Sequence, residues 1–178
     1  MTIGHGGRQL DDLINLVVDA GATTIVDVRS QPYSRYQPEF SQGPLRAAAL
    51  SQGLTYVFLG RELGGRPEDP SLYDDGRVNY GRLCQHPPFV EGLQRLIDGL
   101  RKGYQPALVC SELHPEACHR SKAIGVALET RGVQVEHIDA DGRTVPQQTV
   151  LDRLDGGQLS LIEPTYRSLG RYLAEDDD

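Results

Sequence analysis

The chain has no apolar run near the roughly 18 residues that a membrane-spanning helix needs. Residues 1–7 (MTIGHGG) carry neither the basic start nor the apolar stretch of a secretory signal. Cysteine is scarce, with three in 178 residues. An odd, small number in a chain long enough to build its own core does not describe a disulfide framework and fits reduced thiols in a cytoplasm. Lysine is nearly absent: only Lys102 and Lys122 accompany the arginines. The net charge is −7, and the four acids at 175–178 leave −3 on the rest. That balance argues against a protein that coats duplex DNA with positive charge. The arginine bias is either compositional or a set of planar forks for phosphate or carboxylate, and only position separates the two.

What is present alternates between apolar runs and amphipathic stretches. Strands are predicted at residues 2–3, 24–28, 55–58, 107–110 and 133–138. Helices are predicted at 10–20, 44–52, 88–100, 121–130 and 146–154. This pattern predicts an α/β three-layer sandwich. Its central sheet has about five strands, mostly parallel, with helices on both faces in a Rossmann-like outline. One domain is expected over residues 1–155, followed by an extension at 156–178 with an acidic tail. A long polar excursion over 63–86 marks a functional or mobile loop.

In such sheets ligands bind outside the carboxyl ends of the strands. Those ends carry His5, Arg29, Arg61 with Glu62, Cys110, and His137 with Asp139. The densest group is residues 110–121 (CSELHPEACHRS), between a strand and a helix. Cys118, His119 and Arg120 are expected at a helix N-terminus, where free N–H groups favour a thiolate or a bound anion. Cys118 as a buried filler is the alternative. Cys110 is either core or a nucleophile with Glu112, His114 or His119 as its base. The phosphatase spacing of Cys, five residues, Arg fails, because Glu116 stands at the sixth position. The short rhodanese loop fails too, since Arg120 lies ten positions after Cys110. Cys110, His114, Cys118 and His119 have chemistry suited to zinc or iron, but they match no standard finger, and adjacent Cys118 and His119 are awkward joint ligands. No metal is therefore assigned. A Cys110–Cys118 disulfide requires the loop to fold back, and Cys84 reads as incidental. Asp27 is placed to orient Arg29 through a bidentate pair, with Arg35 nearby. His5, between glycines, is expected to be exposed enough for acid/base work.

Four segments in register resemble the DUF488 family: Thr2 to His5 (TIGH), Val26 to Arg29 (VDVR) with Pro32, Ser34 and Arg35, Glu62 to Arg66 (ELGGR), and Cys110 and Glu112 followed by Cys118, His119 and Arg120. The resemblance spans roughly residues 2–140. It implies a small cytoplasmic α/β protein of bacterial or archaeal type and a shared polar site, without a reaction. Gly6 departs from the serine often found after this histidine.

These readings converge on an enzyme that binds an anionic small molecule, a phosphate or nucleotide. Arg29, Arg35 and Arg120 would clamp it, with Asp27 and Glu62 in support. Cys110, Glu112, Cys118, His119 and His5 would do the chemistry. Two alternatives remain open. One is a non-catalytic module for nucleic-acid ends or modified bases that stacks Tyr33, Tyr36, Tyr73 and Tyr80. The other is a cysteine-based sulfur-transfer or redox enzyme. Cofactor and oligomeric state stay unassigned, and no membrane partner is expected.

Overall fold

The computed structural model describes residues 1–154 and 166–170. The acidic tail and most of the expected extension lie outside the described residues.

The protein has an α/β fold built on a six-stranded, mostly parallel sheet. Its strands are β1 (Thr2–Gly4), β2 (Thr24–Asp27), β3 (Thr55–Phe58), β6 (Pro106–Cys110), β7 (Glu136–Ile138) and β8 (Thr144–Pro146), in the order β3-β2-β6-β1-β7-β8. Only β8 runs antiparallel, beside β7. Apart from Pro106, every residue of the central strands β1, β2 and β6 is buried, as expected of a sheet covered on both faces. Side chains alternate between the two faces. Ile25, Ala107 and Val109 join a core beneath helices α1 (Leu10–Asp19) and α2 (Gln42–Ser51). Val26, Leu108 and Cys110 join the core beneath α5 (Pro87–Arg101) and α6 (Val126–Glu129).

The helices follow from local chemistry. In α1, Leu13, Ile14 and Val17 make the buried stripe, Asp11 and Asp12 complement the helix dipole in the first turn, and Gly21 at φ 75° ends the run. Pro87 opens α5, which buries Phe89, Leu93 and Leu96.

The polar excursion is structured. It follows the short helix α3 (Gly60–Leu63) and holds the hairpin β4 (Tyr73–Asp74) and β5 (Arg77–Val78), then the short helix α4 (Tyr80–Leu83). Asp75 and Gly76 both take positive φ, the signature of a type I′ hairpin turn. Residues 166–170 return to this hairpin: Ser168 N–H donates to the Val78 carbonyl and Tyr80 N–H to that of Tyr166. No helix of the described residues is long and apolar enough to cross a membrane.

Behind the sheet ends, His137 in β7 is fully buried. Gln147 donates to the Ser121 carbonyl, which turns its own carbonyl toward His137 Nε2. The ring is therefore neutral with its proton on Nε2, and Nδ1 accepts from Thr2 Oγ1 at 2.7 Å. Burial pushes its pKa down to about 4. The folded state then binds fewer protons than the unfolded chain between pH 6.5 and 4, so stability falls as pH drops through that window. By pH 5 the expected loss from this group is on the order of 2 kcal/mol. Chemical denaturation at pH 7 and pH 5 should show a clearly flatter pH dependence in His137→Gln; equal slopes would remove His137 as the cause.

Candidate functional site

All five parallel strands point their carboxyl ends the same way, and a cleft of about 190 Å³ opens there. Its walls include Arg29, Tyr33, Arg66, Cys110, Glu112 and His119.

Asp27 ends β2, and Arg29 follows two residues later; they form the expected bidentate pair, with Arg29 Nε to Oδ1 at 2.8 Å and Nη2 to Oδ2 at 2.6 Å. Tyr56 on β3 adds a hydrogen bond to Asp27 Oδ2 at 2.7 Å. Burial and the neighbouring carboxylate push the Tyr56 phenol pKa upward, so it acts as a donor throughout the ordinary pH range. Both members of the pair are almost wholly buried. Arg29 Nη1 is buried without a hydrogen-bond partner. The guanidinium is thus fixed on one edge, with donor capacity left unused at Nη1.

Beyond the end of the neighbouring strand β6, Cys110, Glu112, Cys118 and His119 converge. Cys110 Sγ donates to Glu112 Oε2 at 2.9 Å, and Cys118 Sγ donates to the same oxygen at 3.1 Å. The two sulfurs are 3.1 Å apart, and His119 Nδ1 lies 3.5 and 3.6 Å from them. The loop thus folds back as a Cys110–Cys118 pair requires, and both thiols are free. Burial opposes ionisation of Glu112, yet the thiol hydrogen bonds and His119 hold its pKa down, to about 2. Burial likewise opposes charge on His119, but Cys110, Glu112 and the Val28 carbonyl raise its pKa overall. Burial pushes the Cys110 thiol well above its ordinary value. In this state Cys110 is a proton donor and a poor free nucleophile.

The backbone explains the convergence. Cys118 closes a 3₁₀ turn (Pro115–Ala117) in extended conformation, and His119 begins a π-helical stretch (Arg120–Gly125) that continues into α6. Extended-then-helical geometry lets adjacent side chains reach one point. His119 Nε2 reaches the Val28 carbonyl at 3.2 Å. Gly65 packs on its ring, where a methyl group would lie 2.7 Å from Nδ1. The Gly64 and Gly65 pair is therefore required by close approach, and its backbone φ is ordinary.

Several expected residues sit elsewhere. Arg120 is no anion fork: it is fully buried, and its Nη1 and Nη2 bind the Glu112 and Leu113 carbonyls at 2.6 and 2.9 Å. It ties the loop down. Arg35 is exposed and does not line the cleft. Glu62 pairs with Arg95 on α5 and also stays out of the cleft wall. His5 is buried, not exposed, because the flanking glycines admit the 111–113 loop instead of solvent. Its ring stacks on Phe40 at 4.5 Å, and burial lowers its pKa. His114 is exposed, near Glu116 and Asp139, outside the sulfur cluster. Cys84 is half-buried, with its thiol pushed up to about 11 by burial. Arg66 and Tyr56 were missed as site residues; Arg66 closes the ELGGR segment already singled out.

The model of the domain of unknown function DUF488 matches residues 9–126. The chain belongs to this family. No curated protein and no solved structure shows significant similarity to it. The DUF488 match holds the Asp27–Arg29 pair, Arg66 and the whole cysteine cluster, and His5 lies just outside it.

Proposed function

We propose that this DUF488 protein is an enzyme acting on a phosphorylated or otherwise anionic small molecule bound at the strand carboxyl ends. Arg29 carries this reading: the residue lines the cleft, and its Nη1 is buried without a hydrogen-bond partner. Arg66 adds positive charge to the same wall. Tyr33, 71% exposed at the cleft, offers an aromatic face, which favours a nucleotide within that ligand class. The groups with chemistry to offer line the same cleft: Cys110, Glu112 and His119, with Cys118 bonded to Glu112. Buried titratable groups with displaced pKa values beside a cleft are the usual mark of a reaction site.

Titration calorimetry with inorganic phosphate and a nucleoside monophosphate at low salt tests the reading. Arg29→Lys keeps the charge beside Asp27 but loses the fork. Removing a charge-assisted hydrogen bond costs about 1.5–3 kcal/mol, so affinity should drop at least tenfold. Unchanged affinity in Arg29→Lys and in Arg66→Ala, with both variants folded, would end the clamp reading.

A further inference from the structure

We propose that Cys110, Glu112, Cys118 and His119 form a four-coordinate site for a divalent transition metal, zinc in the first instance. Two sulfurs, one carboxylate oxygen and one imidazole nitrogen all lie within 4.8 Å of one another. Five of their separations are 2.9, 3.1, 3.1, 3.5 and 3.6 Å. Around tetrahedral zinc such donors stand roughly 3.3–3.8 Å apart, given Zn–S near 2.3 Å and Zn–N or Zn–O near 2.0–2.1 Å. The sulfur–nitrogen separations already fit, while the ion needs the two sulfurs to part by about 0.7 Å and the sulfur–oxygen pairs by about 0.4–0.6 Å. Two thiolates with imidazole and carboxylate suit zinc better than a hard cation such as magnesium.

The surroundings have the form of a metal site's outer shell. His119 presents Nδ1 to the cluster while Nε2 meets the Val28 carbonyl, the second contact that fixes a ligating imidazole. The Arg120 N–H points at Cys118 Sγ at 3.4 Å, and its guanidinium pins the carbonyl of Glu112. Gly65 leaves room for the His119 ring. Adjacency of Cys118 and His119, the objection raised by spacing, is met by the extended-to-helical backbone step between them. Glu112 takes the place that the sequence pattern offered to His114. Two thiolates and a carboxylate around a dication leave about one negative charge, and buried Lys122 lies within electrostatic reach of Cys118 and Glu112. Cys110, Glu112 and His119 also line the cleft, so the ion would face whatever ligand enters it.

This inference stands apart from the anion reading, since metal content is measured without any cleft ligand. The full chain is purified under reducing conditions without chelator and its metal content measured by mass spectrometry. Metal-free protein is then titrated with cobalt(II). The expected result is one ion per chain and a cobalt–thiolate charge-transfer band that weakens in Cys110→Ser and in Cys118→Ser. Zinc affinity should fall at least tenfold in Glu112→Gln and His119→Gln and stay unchanged in Cys84→Ser and His114→Ala. Because ligand variants can misfold, the cobalt spectrum of the reduced wild-type chain is decisive by itself. Cobalt binding without a thiolate band, or no binding at all by the reduced protein, overturns the proposal. So does full metal retention in the Cys110→Ser, Cys118→Ser double variant, which would place the ion at His114, Glu116 and Asp139.

Discussion

Asp27→Ala should lower the stability of the protein by about 3–5 kcal/mol, the usual cost of stripping one partner from a buried ion pair. Asp27 is fully buried and accepts from Arg29 Nε, Nη2 and backbone N–H and from the Tyr56 hydroxyl. Its removal leaves a guanidinium inside the protein with no counter-charge. The pair itself is no proof of net stabilisation, because taking both charges out of water offsets most of their attraction. Exchanging both residues for apolar ones of similar size, Asp27→Leu with Arg29→Met, should therefore recover most of the lost stability. The same double variant should not bind phosphate. Guanidinium denaturation of wild type, single and double variants separates the roles. Recovered stability with phosphate binding intact would show the pair to be structural alone.

Gly4→Ala should cost about 3 kcal/mol, at the upper end for overpacking. A methyl group at position 4 would fall on the Glu112 carbonyl oxygen and on Arg120 Nη1. Neither is the free end of a flexible chain. The carbonyl belongs to the backbone of the donor loop, and Arg120 is held by two hydrogen bonds. The loop must shift, and with it Glu112 and its contacts to both thiols. For a domain of this size the melting temperature should fall by roughly 6–12 °C. Gly99→Ala in α5 is the control, since a methyl group there meets nothing within 4 Å. It should be neutral or raise stability by up to about 1 kcal/mol. Equal melting temperatures for Gly4→Ala and wild type would mean that the loop does not pack on β1 as described.

The frame of the protein was legible wherever an apolar run ended in polar residues. Residues 24–28 and 107–110 read as buried strands, and they form the neighbouring strands β2 and β6, at whose carboxyl ends the cleft opens. The Asp27–Arg29 pair was readable for the same reason: two residues apart on a strand end, both side chains take one face. Direction was harder. Arg120 stands at the start of a helical stretch, as expected, but the 112–113 loop folds over it and claims both terminal nitrogens, Nη1 and Nη2. A histidine between two glycines suggests exposure, whereas at His5 the glycines admit backbone. Strand β8 escaped because it is three residues long, ends in Pro146, and pairs on one side only. The Asp75–Gly76 hairpin carried the clearest missed signal, a two-residue turn sequence inside the polar excursion. That Glu112 and not His114 meets the thiols could not be read from spacing, since it depends on the 3₁₀ turn that follows His114 and leaves that residue exposed.

The most direct test is a crystal structure of the zinc-treated protein in the presence of phosphate, with anomalous data collected at the zinc edge. The account predicts one anomalous peak among Cys110, Glu112, Cys118 and His119, and a phosphate oxygen within hydrogen-bond distance of Arg29 Nη1. A cleft that holds neither ion nor phosphate, with Cys110 and Cys118 unligated and Arg29 Nη1 unchanged, would contradict it.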